Sequence, residues 1–260
     1  MMRVVFVHGA CVNDGTWWWH RTGELLAERG VASVAPTLPS CGETGGTVGP
    51  GGPGLPEDVA AVRRVLEAGD EPTVVVGHSY GGIVTTEAAA GVDTVHHLLF
   101  VSSYLPEIGQ SLSSFGDGDP APFLDIDAAG GTFTVRPDAL AETFLQDCDA
   151  EIRHQALGRT ARQSLQVLGQ PVGSAAWRSV PSTYLVCAQD RGTPVDRQRE
   201  FAERAGGPWN SRPATIRSSR NRMRCVTWSW GCDGPAVRDQ PMASRTRGST
   251  KVPSSSIARR

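Results

Sequence analysis

The sequence predicts an α/β protein in which a mostly parallel sheet is flanked by helices. Short apolar runs alternate with amphipathic helical segments through the first 206 of the 260 residues, and this order is typical of parallel strands joined by crossover helices. The apolar run 73–76 also leads directly into the segment Gly-His-Ser-Tyr-Gly at residues 77–81. A chain of this length is long enough to form one large domain with a sizeable core.

The predicted elements follow one another in order along the chain. Apolar residues 4–7 form the first strand, and residues 18–29 have the periodicity of an amphipathic helix that ends before Gly30. Residues 31–35 form the next strand. The segment 44–54 is rich in Gly and Pro and is therefore expected to be a surface loop.

The second half of the predicted sheet follows the same alternation. A helix over residues 56–66 precedes the strand 73–76, and a second helix follows residues 77–81. Two further apolar runs, 97–101 and 182–187, are expected to be strands.

A long insertion, residues 106–178, separates the last two of these strands. It shows no strand alternation and contains helical pieces such as 138–146 and 155–168. We therefore expect a helical cap over the active site. The predicted organisation is one α/β domain over residues 1–206 that includes this cap, followed by a separate segment, 207–260.

A strand that ends in Gly-x-Ser-x-Gly and continues as a helix is the nucleophile elbow of the α/β-hydrolase fold. The serine lies on a strained turn, and small residues two positions before and after it let the strand and the helix pass closely. Its hydroxyl stands at a helix N-terminus, which favours a developing oxyanion. The motif therefore predicts that Ser79 is the nucleophile of an acyl-transfer reaction.

Acyl transfer also needs an oxyanion hole, a base and an acid that orients the base. In the loop after the first strand, the N–H of Ala10 is the expected first oxyanion donor, and the N–H of Tyr80, the residue after the serine, is the second. Asp190 is the predicted acid, because it lies on a loop after a strand downstream of Ser79. A solvated loop aspartate is the alternative interpretation of Asp190.

The histidine that would complete the triad is missing from its expected place. Chain order requires it after Asp190, but the last of the six histidines is His154, in the expected cap. His8 and His78 lie beside the oxyanion loop and the nucleophile, where structural roles are usual. We therefore expect the catalytic activity of this chain to be impaired.

Three segments resemble one known family. Val-His-Gly-Ala-Cys at residues 7–11, Gly-His-Ser-Tyr-Gly-Gly at 77–82 and Val-Cys-Ala-Gln-Asp-Arg-Gly-Thr-Pro at 186–194 are similar to α/β-hydrolases of the branch that contains plant methyl-ester esterases and hydroxynitrile lyases. The resemblance covers about residues 3–206.

This resemblance implies a fold, a reaction and a set of roles. The lyases of the family carry a hydroxyl residue at the position of Gly9, so the pattern favours hydrolysis over hydroxynitrile cleavage. The implied nucleophile, acid and oxyanion donors are Ser79, Asp190, Ala10 and Tyr80.

The charge of the chain changes sharply after residue 207. From Pro208 onward 11 Lys and Arg stand against two acidic residues, so this part carries +9 and the preceding part −11, within a net charge of −2. The basic segment is rich in Arg, Ser and Pro without periodicity, which is typical of disorder. A basic arm that binds nucleic acid through phosphate contacts and tryptophan stacking is the alternative, and we expect no nucleic-acid partner.

The resemblance also explains what the basic segment lacks. The family has a last strand, a Gly-x-x-His or Gly-His-His segment and a closing helix after the position of Gly206, and none of them can be read in residues 207–260. Codons for residues 208–219, read from the third base of the Pro208 codon, permit Val-Glu-Leu-Pro-Ala-Gly-His-His-Pro-Phe-Leu. We therefore interpret this segment as the product of a frame slip near residues 206–208, either a genuine one or a sequencing error, which removes the last strand and helix.

The sequence-based hypothesis is a serine hydrolase that acts on a small carboxylic ester without a metal or organic cofactor. The six cysteines show no metal-ligand spacing. The apolar stretch at the N-terminus is too short for a signal peptide or a membrane span, so we expect a cytoplasmic protein without membrane contact. The alternatives are a non-catalytic protein that binds a small molecule on the same fold, and a hydroxynitrile lyase-like enzyme.

Overall fold

The structure, a computed structural model, describes residues 1–116 and 118–206. The predicted tail and the predicted absence of a last strand and helix lie outside these described residues. The strands are β1 (Arg3–Val7), β2 (Ala32–Val34), β3 (Thr73–His78), β4 (Val95–Val101), β5 (Leu124–Asp127), β6 (Thr132–Val135), β7 (Gln163–Ser164) and β8 (Ser182–Leu185). The α-helices are α1 (Gly15–Ala27), α2 (Leu55–Glu67), α3 (Tyr80–Ala88), α4 (Pro137–Thr143), α5 (Ala150–Leu157) and α6 (Val195–Ala205).

Among the described residues, no helix is both long and apolar enough to cross a membrane.

Five parallel strands form the main sheet, in the order β2-β1-β3-β4-β8. Its register aligns the carboxyl ends of the central strands: Val7 pairs with Gly77, and His78 pairs with Val101. Val101 in turn pairs with Leu185 of β8. The loops that follow β1, β3, β4 and β8 therefore meet at one edge of the sheet, where open α/β sheets place their sites. The predicted α/β class with a parallel sheet is confirmed.

Apolar side chains cover both faces of this sheet. One cluster contains Val5, Val75 and Phe100, all fully buried, and a second one contains Phe6 and Trp19. The rings of Phe6 and Trp19 stack with centroids 4.5 Å apart. Burying a side chain of the size of Phe contributes roughly 1.5–3 kcal/mol. This two-sided burial explains why the strands appear in the sequence as continuous apolar runs rather than as alternating ones.

The boundaries of some elements differ from the predicted ones. Helix α1 begins at Gly15 rather than at residue 18, because the side chain of Asp14 caps the helix by accepting a hydrogen bond from the Trp17 N–H at 3.1 Å. Strand β8 ends at Leu185, two residues earlier than predicted. Helix α6, which follows the loop that contains Asp190, was not identified in the sequence.

The insertion 106–178 contains helices, as predicted, but it is not wholly helical. Besides α4 and α5, the insertion contains a three-stranded antiparallel sheet formed by β5, β6 and β7. The prediction that the insertion has no strands is therefore wrong. The predicted helix over 155–168 is also wrong: α5 ends at Leu157 and the chain then enters β7. We call residues 106–178 the cap.

The strands of the cap escaped prediction because they are short. The segment 124–127 and the segment 132–135 each alternate apolar and polar residues over only four positions, and β7 has two residues. A turn with Gly131 at φ 60° joins the first two. Pairing with a neighbour, rather than local periodicity, stabilises such short strands.

Candidate active site

Ser79 lies between the end of β3 and the start of α3, as the motif predicts. Its backbone has φ 50° and ψ −124°, a strained conformation for a residue other than glycine. The carbonyl of Ser79 accepts hydrogen bonds from the Gly82 N–H at 3.0 Å and from the hydroxyl of Ser103 at 2.8 Å. These bonds hold the turn, and they leave the side chain of Ser79 half-buried at the carboxyl edge of the sheet.

Glycines on both sides of Ser79 permit the close approach that the elbow needs. A Cβ at Gly81 would collide with the carbonyl oxygen of Val7 and lie 2.6 Å from that of His8. A Cβ at Gly77 would lie 2.9 Å from Oγ1 of Thr85 on α3. Small residues at these two positions are the ones that the motif predicts, for the same physical reason.

The loop after β1 lies against the nucleophile. A Cβ placed on Gly9 would be 3.2 Å from Cβ of Ser79 and 3.1 Å from Nδ1 of His78. Ala10 follows in this loop, and Tyr80 is the first residue of α3, where the helix itself provides no acceptor for an N–H. Neither the N–H of Ala10 nor that of Tyr80 has a hydrogen-bond acceptor within the described part of the chain. The structure thus brings both predicted oxyanion donors close to Ser79.

His8, at the start of this loop, is buried and engaged at both ring nitrogens. Nδ1 lies 2.9 Å from the Gly9 carbonyl and Nε2 lies 3.0 Å from Oε2 of Glu43. Glu43 also accepts from the N–H groups of Asp14 at 2.7 Å and Leu38 at 2.6 Å. Burial raises the pKa of Glu43, but the hydrogen bonds and the charge of His8 lower it more, so the net shift is downward.

Asp190 is held at the same edge of the sheet. Its Oδ1 accepts from the N–H groups of Gly192 at 2.7 Å and Thr193 at 3.0 Å, and its Oδ2 accepts from the hydroxyl of Ser102. Burial raises the pKa of Asp190, against the opposing effect of these three hydrogen bonds. Ser102 directly follows β4 and has φ 41°, so the ends of two adjacent strands position this carboxylate.

The buried side chain of Gln198 holds the loop that contains Asp190. Its Oε1 accepts from the Cys187 N–H at 2.8 Å, and its Nε2 donates to the Thr193 carbonyl at 2.9 Å. One amide therefore links the two ends of this loop, residues 187–193, which we call the acid loop.

Within the described ranges, the carboxylate of Asp190 accepts hydrogen bonds from Ser102 and from the N–H groups of Gly192 and Thr193, and no histidine is among its partners. His154 is exposed at the end of α5. Burial, together with the charge of His8, lowers the pKa of His78 to about 4, so its ring is neutral near pH 7. The structure thus brings together the predicted nucleophile, oxyanion donors and acid, and among the described residues no histidine bonds to the carboxylate of Asp190.

Several buried polar residues near the site were missed in the sequence. Ser102 and Gln198 hold the acid loop, and Glu43 holds the loop after β1. Asp58 of α2 and Gln163 of β7 are fully buried and hydrogen-bonded close to the elbow. Ser102, Glu43, Asp58 and Gln163 each bond to a partner that is distant in sequence, so no local motif identifies them. Gln198 bonds within the loop that contains Asp190, but it lies in a helix that was not predicted.

The chain is similar in sequence to known hydrolases. The model of the alpha/beta hydrolase family matches residues 4–219. Alpha/beta hydrolase nvfD of Aspergillus novofumigatus is 27% identical over 187 residues, which cover 66% of this chain and 72% of that protein. Methylesterase 1 of Arabidopsis thaliana is 25% identical over 215 residues, with 75% and 81% covered.

A plant esterase is similar in both sequence and structure. Polyneuridine aldehyde esterase of Rauvolfia serpentina is 24% identical over 222 residues, which cover 78% of this chain and 83% of that protein. A crystal structure of polyneuridine aldehyde esterase superposes with a TM-score of 0.64 at 23% identity, covering 79% of this chain and 87% of the other. These similarities agree with the resemblance to plant methyl-ester esterases seen in the three motifs.

Proposed function

The chain belongs to the alpha/beta hydrolase family, and we propose that it is a serine hydrolase of small carboxylic esters whose turnover is limited by a missing base. The observation that carries the proposal is the strained turn at Ser79, which lies against the loop of Gly9 and Ala10. The esterases among the relatives support an ester as the substrate class.

In the proposed reaction, Oγ of Ser79 attacks the carbonyl carbon of the ester. The new C–O bond turns the carbonyl oxygen into an oxyanion, which the N–H groups of Ala10 and Tyr80 stabilise. The proton of the Ser79 hydroxyl passes to solvent water. Collapse of the intermediate breaks the C–O bond to the alcohol, which leaves and takes up a proton from water, and a second water then hydrolyses the acyl-Ser79 to the free acid and Ser79. Asp190 is the residue that would orient a histidine base, and the sequence has no histidine after residue 154.

Acylation of Ser79 tests this proposal directly. An excess of p-nitrophenyl acetate should acetylate the chain slowly, because an oxyanion hole and a binding site still accelerate the reaction by roughly 10³–10⁴ over water when triad members are lost. Intact-protein mass spectrometry, with peptide mapping to Ser79, measures the acetylation, and p-nitrophenolate release gives its rate.

The Ser79→Ala variant is the matched control, since it removes only the nucleophile. It should release p-nitrophenolate at the rate of the buffer and of non-specific lysine and N-terminal acylation. Equal release by the Ser79→Ala variant and the unmodified chain would contradict the proposal.

A second candidate function is non-catalytic binding of a small molecule on the same fold. It is favoured by one observation: the carboxylate of Asp190 already accepts three hydrogen bonds from Ser102, Gly192 and Thr193. In this case Ser79 is not acylated, but a small ester such as methyl benzoate raises the melting temperature of the protein as its concentration increases.

A further inference from the structure

A buried hydrogen-bond network connects the cap to the loop that contains Ala10, the first predicted oxyanion donor. Gln163 of β7 is fully buried, and its Oε1 accepts from the N–H of Cys11 at 3.0 Å. Its Nε2 donates to Oγ of Ser40 at 2.8 Å. A single amide of the cap therefore holds the residue next to Ala10.

The same hydrogen-bond network continues to Tyr80, the second predicted oxyanion donor. Oγ of Ser40 donates to Oδ2 of Asp58 at 2.6 Å, and the Ser40 N–H donates to Oδ1 at 2.9 Å. The hydroxyl of Tyr80 donates to Oδ2 of Asp58 at 2.7 Å. Asp58, Ser40 and Tyr80 are all fully buried, so one carboxylate accepts every donor that faces it in this network.

Backbone pairing adds a second link between the cap and the loop after β1. The Asn13 N–H donates to the Arg159 carbonyl at 3.0 Å, and the Ala161 N–H donates to the Cys11 carbonyl at 2.8 Å. The segment that leads into β7 therefore lies antiparallel to residues 11–13, and Gln163 extends this pairing toward Ala10.

We propose that Gln163 is a positioning residue through which the cap sets the geometry of the oxyanion hole. Its hydrogen bond to Cys11 fixes the position of the neighbouring Ala10 N–H. Its hydrogen bond to Ser40 ties that position, through Asp58, to Tyr80. The inference rests on the proposed function of Ser79, Ala10 and Tyr80.

The physical basis is the cost of leaving buried polar groups unpaired. Without the amide of Gln163, the Cys11 N–H and the hydroxyl of Ser40 lose partners in a site that excludes water. The loop then gains freedom to rotate the Ala10 N–H away from the oxyanion. Since removal of a whole oxyanion donor costs about 10²–10³ in rate, we expect misplacement of one donor to lower the acylation rate by at least about tenfold.

The test replaces Gln163 by Met, which keeps the length and volume of the side chain but forms neither hydrogen bond. Hydrogen exchange monitored by mass spectrometry follows the amides of residues 9–13 in the intact chain. A parallel experiment measures acylation of Ser79 by p-nitrophenyl acetate over a range of concentrations, which separates the limiting rate from the half-saturating concentration.

Two further variants provide the comparison. Gln166→Ala alters an exposed glutamine of the cap that donates to the Gly52 carbonyl at 2.7 Å, away from the network. Ser40→Ala removes the acceptor of the Gln163 Nε2 but keeps the backbone bond from Ser40 to Asp58. If Gln163→Met does not fold, the exchange and acylation measurements on Ser40→Ala test the proposal instead, because Ser40 belongs to the same network.

The proposal predicts a local and kinetic effect. In Gln163→Met, exchange of the 9–13 amides should accelerate about fivefold to tenfold, the factor expected for one lost buried hydrogen bond. The limiting acylation rate should fall while the half-saturating concentration stays within about twofold. Ser40→Ala should show the same pattern to a smaller extent, and Gln166→Ala should match the unmodified chain.

Unchanged exchange of residues 9–13 in a folded Gln163→Met variant would overturn the proposal, as would an unchanged limiting rate of acylation. Failure of the unmodified chain to acylate Ser79 refutes the proposed function instead, and the exchange measurement still decides whether Gln163 fixes the loop.

Discussion

At the scale of single residues, the site depends on backbone groups that approach each other more closely than a side chain would permit. Gly81 of α3 faces the carbonyl groups of Val7 and His8 at the end of β1. The contact places the loop that contains Ala10 beside the first turn of α3. The position of this loop relative to α3 therefore depends on the absence of a Cβ at Gly81.

The substitution Gly81→Ala should destabilise the protein and disable the site. Its Cβ would lie 2.6 Å from the His8 carbonyl oxygen and still closer to that of Val7, so the loop after β1 must move. We expect a loss of about 1–3 kcal/mol in the free energy of unfolding, as for other overpacked sites. Urea unfolding measures this loss, and acylation of Ser79 should fall with it.

Gly169→Ala is the control for this prediction. A Cβ at Gly169 meets no atom within 4 Å, and its φ of −101° is accessible to alanine. Its stability should stay within about 0.5 kcal/mol of that of the unmodified chain. Equal unfolding midpoints for Gly81→Ala and Gly169→Ala would show that the close approach at Gly81 has no energetic effect.

At the scale of elements, the buried carboxylate of Glu43 joins three separate pieces of structure. It accepts from His8 at the end of β1, from Asp14 at the start of α1 and from Leu38 in the loop after β2. One side chain therefore links the loop after β1, the first turn of α1 and the loop after β2.

The substitution Glu43→Gln should destabilise the protein in a pH-dependent way. One of the three donors then faces an NH₂ group instead of an oxygen, at a cost of about 1–3 kcal/mol near pH 7. Because the folded protein has a lowered Glu43 pKa, the carboxylate stabilises the fold above its ordinary value of 4.5. This contribution is lost as the pH falls through the lower folded value, so the difference between variant and unmodified chain should shrink there.

Urea unfolding at pH 7 and below pH 4.5 measures this difference. Glu67→Gln serves as the control, because Glu67 forms an exposed pair with Arg63 of the kind that contributes little to stability. A difference of the same size at both pH values for Glu43→Gln would contradict the assigned pKa direction.

The elements of the main sheet were predictable from sequence, whereas those of the cap were not. Strands such as β1 and β3 are buried on both faces and therefore contain a continuous run of apolar residues. Strand β7 has two residues, and it exists because β6 pairs with it. A periodicity search has no signal at that length.

At the scale of the whole molecule, the chain combines an acidic α/β domain with a basic C-terminal segment. The two parts carry −11 and +9, with the change near Pro208. The sequence-based interpretation of this change as a frame slip stays a prediction, since residues 207–260 lie outside the described structure.

Reading the codons after residue 207 in the alternative frame should convert the chain into an efficient esterase, if the predicted frame slip is correct. The restored segment contains a histidine in the chain order that follows Ser79 and Asp190. Since the members of a triad act as a unit, we expect the kcat for p-nitrophenyl acetate to rise by about 10⁴–10⁶. Steady-state p-nitrophenolate release from both chains measures the ratio.

A restored chain in which that histidine is replaced by alanine is the control, and it should return to the rate of the present chain. A restored chain that is folded but no faster would refute both the frame interpretation and the role of Asp190. Sequencing of the locus provides an independent check of the frame.

The sequence by itself determined the parallel sheet, the elbow at Ser79, the loops of Ala10 and Asp190, and the absence of any histidine after residue 154. These are local properties, since apolar runs, glycine spacing and chain order do not depend on distant partners. Only the tertiary structure decided which buried polar groups hold the site. Gln163 bonds to Cys11 across 152 positions and Ser102 to Asp190 across 88. Hydrogen bonds between such distant residues form because the fold brings them together, so no local sequence pattern predicts them.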